Sequence, residues 1–195
     1  MKILGLSGNV KQPSRTASVV EAVVVAAASK LGLESRTIEL VDAAPILFRA
    51  LRSDQLDAAG RAIIDAVEAA DVLVVGSPVY RASYAGALKH LFDLVDYRAL
   101  TGKRVILAAT GGTPLHGLMI EHQLRPLFGF FNALTLPTAI YATEIDFANY
   151  EITSPAVRER IERAVSELAQ VLPVSINAAA DRANGNRPAP VAASA

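Results

Sequence analysis

The chain has 195 residues, of which 52% are hydrophobic and 19% are charged, and its 19 basic and 19 acidic residues give a formal net charge of zero. This composition excludes general disorder, which requires low hydrophobicity and high net charge, and it argues against a nucleic-acid binder, which usually carries a basic surplus. Because the chain contains no cysteine, disulfides and thiolate metal sites are excluded as well.

The high apolar content raises the question of a membrane. The longest stretch rich in alanine and valine, residues 22–29, is flanked by Glu21 and Lys30, and no uninterrupted apolar run reaches the roughly 20 residues of a membrane-spanning helix. The apolar N-terminal run is also shorter than the hydrophobic core of a secretory signal. We therefore expect a cytoplasmic protein without a membrane partner, whose apolar surplus lies in a two-sided sheet or at subunit interfaces.

Short apolar runs alternate with longer helical patterns along the chain. In chain order, the patterns predict strand 2–6, helix 16–31, strand 34–40, helix 54–70, strand 72–76, helix 83–95, strand 104–110, helix 114–131, strand 134–141 and helix 154–172. Ser154 is the predicted N-cap of the last helix and Pro155 its predicted first residue. This alternation predicts right-handed βαβ units and a parallel sheet with helices on both faces.

Five strands in a chain of this length favour one α/β domain, a flavodoxin-like doubly wound parallel sheet with strand order 2-1-3-4-5. The domain is predicted to span residues 1–172. Residues 173–195 are rich in alanine, asparagine and proline and have no periodicity. We expect them to form a flexible or subunit-contacting tail.

The loop after the first strand, residues 7–16, has the composition of a phosphate site. It combines hydroxyl groups, the cations Lys11 and Arg15, and backbone N–H groups at a helix N-terminus, all of which favour an anion. It lacks the G-x-G-x-x-G and G-K-[ST] patterns of dinucleotide and nucleoside triphosphate sites, and it suits a monophosphate such as that of FMN. Ser14 also fits an ordinary helix N-cap.

Two further loops follow the third and fourth strands, at the same edge of the sheet. The first places a rigid proline, an aromatic ring and a cation, Pro78, Tyr80 and Arg81, where they can line a planar ring; Tyr84 is predicted to be a core residue. The second has paired glycines, which allow close backbone approach to a ligand. Thr113 and Pro114 suit a helix start, whose partial positive charge would stabilise a reduced flavin.

Two segments in these loops, SPVYRASYAGALK (77–89) and ATGGTPLH (109–116), resemble the NAD(P)H-dependent FMN reductases. More narrowly, they resemble the reductase components of two-component alkanesulfonate and methanesulfonate monooxygenases. The similarity runs from residue 1 to about residue 172. It implies reduction of FMN by NADH or NADPH, release of reduced flavin to a partner monooxygenase, and a homo-oligomer, either a dimer or a tetramer.

The resemblance also implies which residues hold the cofactor. Those expected at the FMN phosphate are Ser7, Ser14, Arg15 and Thr16. Those expected along the isoalloxazine are Pro78, Val79, Tyr80 and Arg81, and those at its other edge are Thr110, Gly111, Gly112 and His116. His116 also fits a hydrogen-bonded structural role. No acid–base residue and no metal ion is expected, because the flavin and the nicotinamide carry the chemistry of hydride transfer.

The helix after the glycine pair departs from the alkanesulfonate-type reductases. Their helix carries a π-bulge with a tyrosine at the tetramer interface, and His122 falls at that position here. Pro126 independently predicts a kink or bulge, because it cannot donate a hydrogen bond to the carbonyl of His122. We expect His122 and Pro126 at an oligomer interface, with the methanesulfonate-type enzymes as the closer match.

Two other functions fit the same scaffold. A flavin-bound quinone or azo-dye reductase would differ only in its acceptor pocket. A flavodoxin-like electron carrier fits less well, because such carriers are usually strongly acidic and this chain is neutral. A phospho-receiver module is excluded, since the positions that need acidic residues hold Ser7 and the segment 76–78.

Overall fold

Six parallel strand segments form the central sheet of the computed structural model, which describes residues 1–173. They are β1 (Lys2–Ser7), β2 (Glu34–Glu39), β3 (Val72–Pro78), β4 (Arg104–Gly111), β5 (Leu134–Thr135) and β6 (Ile140–Thr143). The order across the sheet is β2-β1-β3-β4, and both β5 and β6 pair with β4. The predicted parallel sheet of order 2-1-3-4-5 is confirmed. The predicted tail lies outside the described residues, apart from Pro173.

The fifth position of the sheet is divided, whereas the sequence predicts one continuous strand over 134–141. Pro137 has no N–H to donate to a sheet ladder. The N–H of Thr138 donates instead to the Glu167 carboxylate at 2.9 Å, and its hydroxyl donates to the same carboxylate at 2.6 Å. The strand therefore leaves β4 after Thr135 and rejoins it at Ile140.

Helices cover both faces of the sheet, as predicted. One face packs against α1 (Arg15–Leu31) and α6 (Pro155–Val171), and the other against α2 (Leu40–Leu47), α3 (Ala58–Ala69), α4 (Gly86–Leu94) and α5 (Arg125–Phe130). Successive residues of β3 serve the two cores in turn: Val72 and Val74 face α1 and α6, while Leu73 and Val75 face the other helices. A central strand buried on both faces explains the continuous apolar run in the sequence.

Three helix predictions need correction. Helix α2 is absent from the sequence predictions and begins at Leu40, the last residue of the predicted strand 34–40. Pro45 inside it is disfavoured in helix interiors, so the local pattern does not indicate a helix. Helix α3 begins at Ala58 rather than at residue 54, because the Asp57 carboxylate accepts the N–H of Gly60 at 2.7 Å and acts as N-cap. Helix α4 begins at Gly86 rather than at residue 83.

The predicted helix 114–131 is three segments of different pitch. A 3-10 turn spans Pro114–Leu118, a π-helical turn spans Ile120–Leu124, and only α5 is α-helical. A helical segment does begin at Pro114 with Thr113 at the N-cap position, as predicted, but it is a 3-10 turn rather than the start of a long α-helix, so it supplies no long helix dipole at this loop. The expected interruption before Pro126 is confirmed as the π-helical turn.

The C-terminal part of the described chain adds a small hairpin and the last helix. Strands β7 (Phe147–Ala148) and β8 (Glu151–Ile152) pair antiparallel and have no counterpart in the sequence predictions. Ser154 and Pro155 hold the predicted N-cap and first positions of α6, although the Ser154 side chain makes no capping hydrogen bond. Within residues 1–173, no helix has both the length and the apolar character to cross a membrane.

Candidate functional site

The three predicted loops meet in one cleft of about 230 Å³ beyond the carboxyl ends of β1, β3 and β4. Its lining residues are Asn9, Lys11, Pro13, Ser14, Arg15, Thr16, Pro78, Val79, Tyr80, Thr110, Gly111, Gly112, Thr143, Glu144 and Tyr150. Among the predicted cofactor residues, Ser7, Arg81 and His116 do not line it. The position agrees with the rule that ligands of open α/β sheets bind at the topological switch point.

The N-terminus of α1 forms one end of the cleft. The Ser14 hydroxyl accepts the N–H of Ala17 at 3.2 Å, so the N-cap interpretation of Ser14 is confirmed. The N–H groups of Arg15 and Thr16 belong to the first turn, where no intrahelical partner exists. Together with the helix dipole, these donors make this end of the cleft suitable for an anion.

A buried hydrogen bond joins this end of the cleft to the loop after β4. The Thr16 and Thr110 hydroxyls lie 2.6 Å apart, and both residues are buried. The backbone N–H of Val79 also donates to the Thr110 carbonyl, at 2.8 Å. The loops after β1, β3 and β4 are therefore fixed relative to one another through Thr110.

Residues 80–83 form a tight hairpin turn at the end of β3. Tyr80 and Ser83 exchange two backbone hydrogen bonds of 2.8 and 3.0 Å, and the central residues Arg81 and Ala82 have φ values of 51° and 63°. Positive φ at both central positions is the mark of a type I′ turn, which favours glycine and asparagine. Such strain at non-glycine residues recurs at functional sites. The turn holds Tyr80 at the cleft and leaves Arg81 exposed beside it.

Gln123, in the π-helical turn, stabilises the 80–83 turn through two side-chain hydrogen bonds. Its side-chain oxygen accepts the Ser83 hydroxyl, and its side-chain nitrogen donates to the Ala82 carbonyl at 2.8 Å. Residues of both segments line a second hollow of about 210 Å³, and its other lining residues include His116 of the 3-10 turn. The sequence signal at Pro126 located the bulge, but no local pattern indicates that Gln123 contacts a turn forty residues earlier.

The loop after β4 brings backbone close to the cleft, as the paired glycines predict. A side chain at Gly111 would collide with the Tyr141 hydroxyl, whereas Gly112 faces open space. The Tyr141 hydroxyl donates to the Thr113 carbonyl at 2.6 Å. Burial raises the pKa of Tyr141, which favours the protonated phenol that this hydrogen bond needs.

Two buried polar atoms near the first loop have no hydrogen-bond partner among residues 1–173. They are Oγ of Ser7, at the end of β1, and Oδ1 of Asn9, in the cleft lining. The Asn9 amide nitrogen is satisfied by the Lys11 carbonyl at 3.0 Å and by the Glu39 carboxylate at 2.9 Å. An unsatisfied buried acceptor in a cleft indicates a place where a ligand hydroxyl can donate.

A rim formed by residues 143–150 closes the side of the cleft next to α1. The Asp146 carboxylate accepts the N–H and the hydroxyl of Thr143, at 2.7 and 3.0 Å. Burial alone would raise the pKa of Asp146, but the hydrogen bonds outweigh it and the pKa lies below its usual value. Asn149 and Tyr150, between β7 and β8, have positive φ values of 48° and 68°, so this turn is strained as well.

The rim contributes three lining residues that the sequence analysis missed, Thr143, Glu144 and Tyr150. Glu144 forms an ion pair with Arg15, and the Arg15 guanidinium carbon lies 5.5 Å from the centre of the Tyr150 ring. Arg15, a predicted phosphate ligand, is therefore held by the rim on two sides.

Known proteins resemble this chain over most of its length. The profile of the family described as NADPH-dependent FMN reductase matches residues 1–148. The chain is 48% identical over 168 residues to an FMN reductase (NADPH) of Pseudomonas aeruginosa, covering 86% of this chain and 90% of that protein. It is 49% identical over 169 residues to the NADH-dependent FMN reductase SfnF of Pseudomonas fluorescens, covering 87% and 90%. The apo crystal structure of the NADH:FMN oxidoreductase EMOB superposes with a TM-score of 0.79 at 28% identity, covering 88% and 90%.

Proposed function

Because this chain belongs to the NADPH-dependent FMN reductase family, we propose that it transfers a hydride from NADH or NADPH to FMN and releases the reduced flavin to a partner monooxygenase. The observation that carries the proposal is the single cleft in which the anion-binding start of α1 meets the Tyr80 turn and the glycine pair. The proposed class is that of NAD(P)H:flavin oxidoreductases, EC 1.5.1, acting in the cytoplasm, where the nicotinamide nucleotides are available.

The residues of the cleft fit FMN. Asn9 offers its unsatisfied buried oxygen to a ribityl hydroxyl. The proposed phosphate contacts are Ser7, Ser14, Arg15 and Thr16, and the proposed ring contacts are Pro78, Val79, Tyr80, Arg81, Thr110, Gly111, Gly112 and His116. Of these, Ser7 is buried and its hydroxyl has no hydrogen-bond partner within residues 1–173, whereas Arg81 and His116 are exposed beside the cleft.

Bound FMN supplies the ring that accepts the hydride, and the chain supplies binding and orientation. The Thr16–Thr110 hydrogen bond fixes the phosphate end relative to the glycine loop. Gln123 fixes the strained turn that carries Tyr80. Rigid placement of this kind holds two reactants at reacting distance, which lowers the barrier without a protein acid or base. We therefore assign no acid–base residue.

The nicotinamide donor is proposed to be either NADH or NADPH, because relatives of nearly equal identity carry one name or the other. The proposed partner is a monooxygenase of sulfonate metabolism, supported by the resemblance of segments 77–89 and 109–116 to the reductases of those systems.

The test is to follow oxidation of NADH and of NADPH by the purified protein with and without added FMN. We expect FMN-dependent oxidation with at least one donor, and FMN that exchanges on dilution. No FMN-dependent oxidation with either donor would sink the proposal. Tightly retained FMN together with quinone or azo-dye turnover would favour the alternative reductase on the same fold.

We propose that the protein is a homo-oligomer and that its subunit interface lies at the surface around the π-helical turn. His122 and Pro126 are exposed there, and the neighbouring side chains of Leu115 and Leu118 are 85% and 64% exposed. Apolar side chains this exposed mark protein contact surfaces when they cluster. Sedimentation equilibrium should report a dimer or a tetramer, and a monomer at all concentrations would contradict this proposal.

Replacing Gln123 by leucine should raise the Kd for FMN about tenfold, since two hydrogen bonds to the Tyr80 turn are lost and each contributes about 0.5–1.5 kcal/mol. Fluorescence quenching of the flavin measures this effect. Gln170→Leu, on the exposed surface of α6, is the matched control and should leave the Kd unchanged. If Gln123→Leu also leaves the Kd unchanged, the Tyr80 turn keeps its conformation without the two hydrogen bonds of Gln123.

A further inference from the structure

The cation that faces the phosphate end of the cleft already has an internal anion beside it. The guanidinium of Arg15 is ion-paired with the Glu144 carboxylate, and it also lies over the Tyr150 ring at 5.5 Å. The Arg15 side chain is 37% exposed and that of Glu144 is 72% exposed. Both line the cleft, so a ligand phosphate would reach Arg15 where Glu144 now contacts it.

A phosphate monoester and Glu144 would compete for the same partner. The monoester carries a charge of about −1.5 to −2 at neutral pH, and arginine binds phosphate and carboxylate oxygens with the same planar fork of donors. If Glu144 stays, it repels the phosphate; if it moves away, its ion pair with Arg15 is lost. Either outcome weakens binding of a phosphorylated flavin and leaves the rest of the flavin unaffected.

Glu144 contributes little else to the structure. The rim is held by Asp146 through Thr143, and by the Asp146 carbonyl, which accepts the N–H of Thr153 at 2.9 Å. The Glu144 side chain has no other hydrogen-bond partner within residues 1–173. The carboxylate can therefore be neutralised without disturbing the rim that carries it.

We propose that Glu144 sets the affinity for FMN by competing with the phosphate for Arg15, and that it thereby favours release of the reduced flavin. The inference rests on the proposed function. A flavin that must leave for a partner enzyme has to be bound weakly enough to dissociate. The Glu144 carboxylate at the phosphate end weakens FMN binding without altering the site of the ring.

The test compares the wild type with Glu144→Gln, using FMN and riboflavin as the two ligands in fluorescence-quenching titrations. Because the competing pair is solvent-exposed and such pairs are weak, we expect the Kd for FMN to fall about twofold to fivefold. The Kd for riboflavin, which has no phosphate, should change by less than about twofold. Raising the salt concentration should reduce the difference between the two proteins, since exposed charges are screened.

Asp54→Asn is the matched control. It removes one carboxylate from an exposed ion pair with Arg52, and Asp54 does not line the cleft. It should leave the Kd values for FMN and riboflavin unchanged. Such a result shows that loss of a negative charge elsewhere on the protein does not account for tighter FMN binding in Glu144→Gln.

An unchanged or higher Kd for FMN in Glu144→Gln overturns the inference, because Glu144 then orients Arg15 or does nothing. Equal tightening of FMN and riboflavin overturns it too, since the effect would not involve the phosphate. A wild-type protein that binds neither flavin overturns the proposed function itself, which separates the two failures.

Discussion

Replacing Arg15 by glutamine should raise the Kd for FMN about 10-fold to 100-fold and leave the Kd for riboflavin nearly unchanged. A hydrogen bond to a charged group contributes about 1.5–3 kcal/mol. Part of this is offset in the wild type, because in the proposed binding mode FMN displaces Glu144 from an exposed ion pair worth about 0.2–1 kcal/mol. Glutamine keeps a polar side chain but has neither the charge nor the fork of donors. Titration of both flavins measures the difference.

Arg98→Gln is the control for this variant. The Arg98 guanidinium also lies over a tyrosine ring, that of Tyr97, at 4.9 Å, but it does not line the cleft. It should bind both flavins like the wild type. Equal losses of FMN and riboflavin in Arg15→Gln would assign Arg15 to the structure of the rim, through Tyr150, and unchanged FMN binding would place the phosphate elsewhere.

The sheet was predictable because its signal is local. Val72 to Val75 are all fully buried, and a strand buried on both faces must read as a continuous apolar run. Helix α2 was not predictable in this way, since Pro45 contradicts a helix pattern locally and the helix is stable only because Leu40, Ala43, Ala44 and Leu47 pack into the core.

The candidate site likewise has a part that the sequence predicts and a part that it does not. The loops after β1, β3 and β4 were found because the fold class fixes where strands end. The rim was missed because Asn149 and Tyr150 form their turn without glycine, and because β7 and β8 are only two residues long. Gln123 and Glu144 contact segments that are distant in sequence. A periodic pattern along the chain does not predict such contacts.

Replacing Gly76 by alanine should destabilise the protein by about 1–3 kcal/mol, the usual cost of overpacking a core. Gly76 is buried in β3, and an added Cβ would collide with Cγ2 of Val20 and lie 3.3 Å from Cγ2 of Thr16. Both belong to α1, and β-branched side chains have little freedom to rotate away. The helix must therefore shift from the sheet, and the melting temperature should fall by about 2–4 °C for each kcal/mol lost.

The shift should also weaken FMN binding, because α1 carries the proposed phosphate end of the cleft. Thr16 would move away from Thr110, its partner at 2.6 Å, and the Gly76 carbonyl, which accepts the N–H of Gly8 at 2.7 Å, would pull on the first loop. Gly129→Ala in α5 is the matched control: an added Cβ there meets no other atom of the described residues 1–173 within 4 Å, and alanine should stabilise the helix by about 0.5–1 kcal/mol. If Gly76→Ala unfolds at the same temperature as Gly129→Ala, the predicted overpacking is wrong. If it unfolds at a lower temperature but titration gives an unchanged Kd for FMN, close packing of α1 on β3 does not position the cleft.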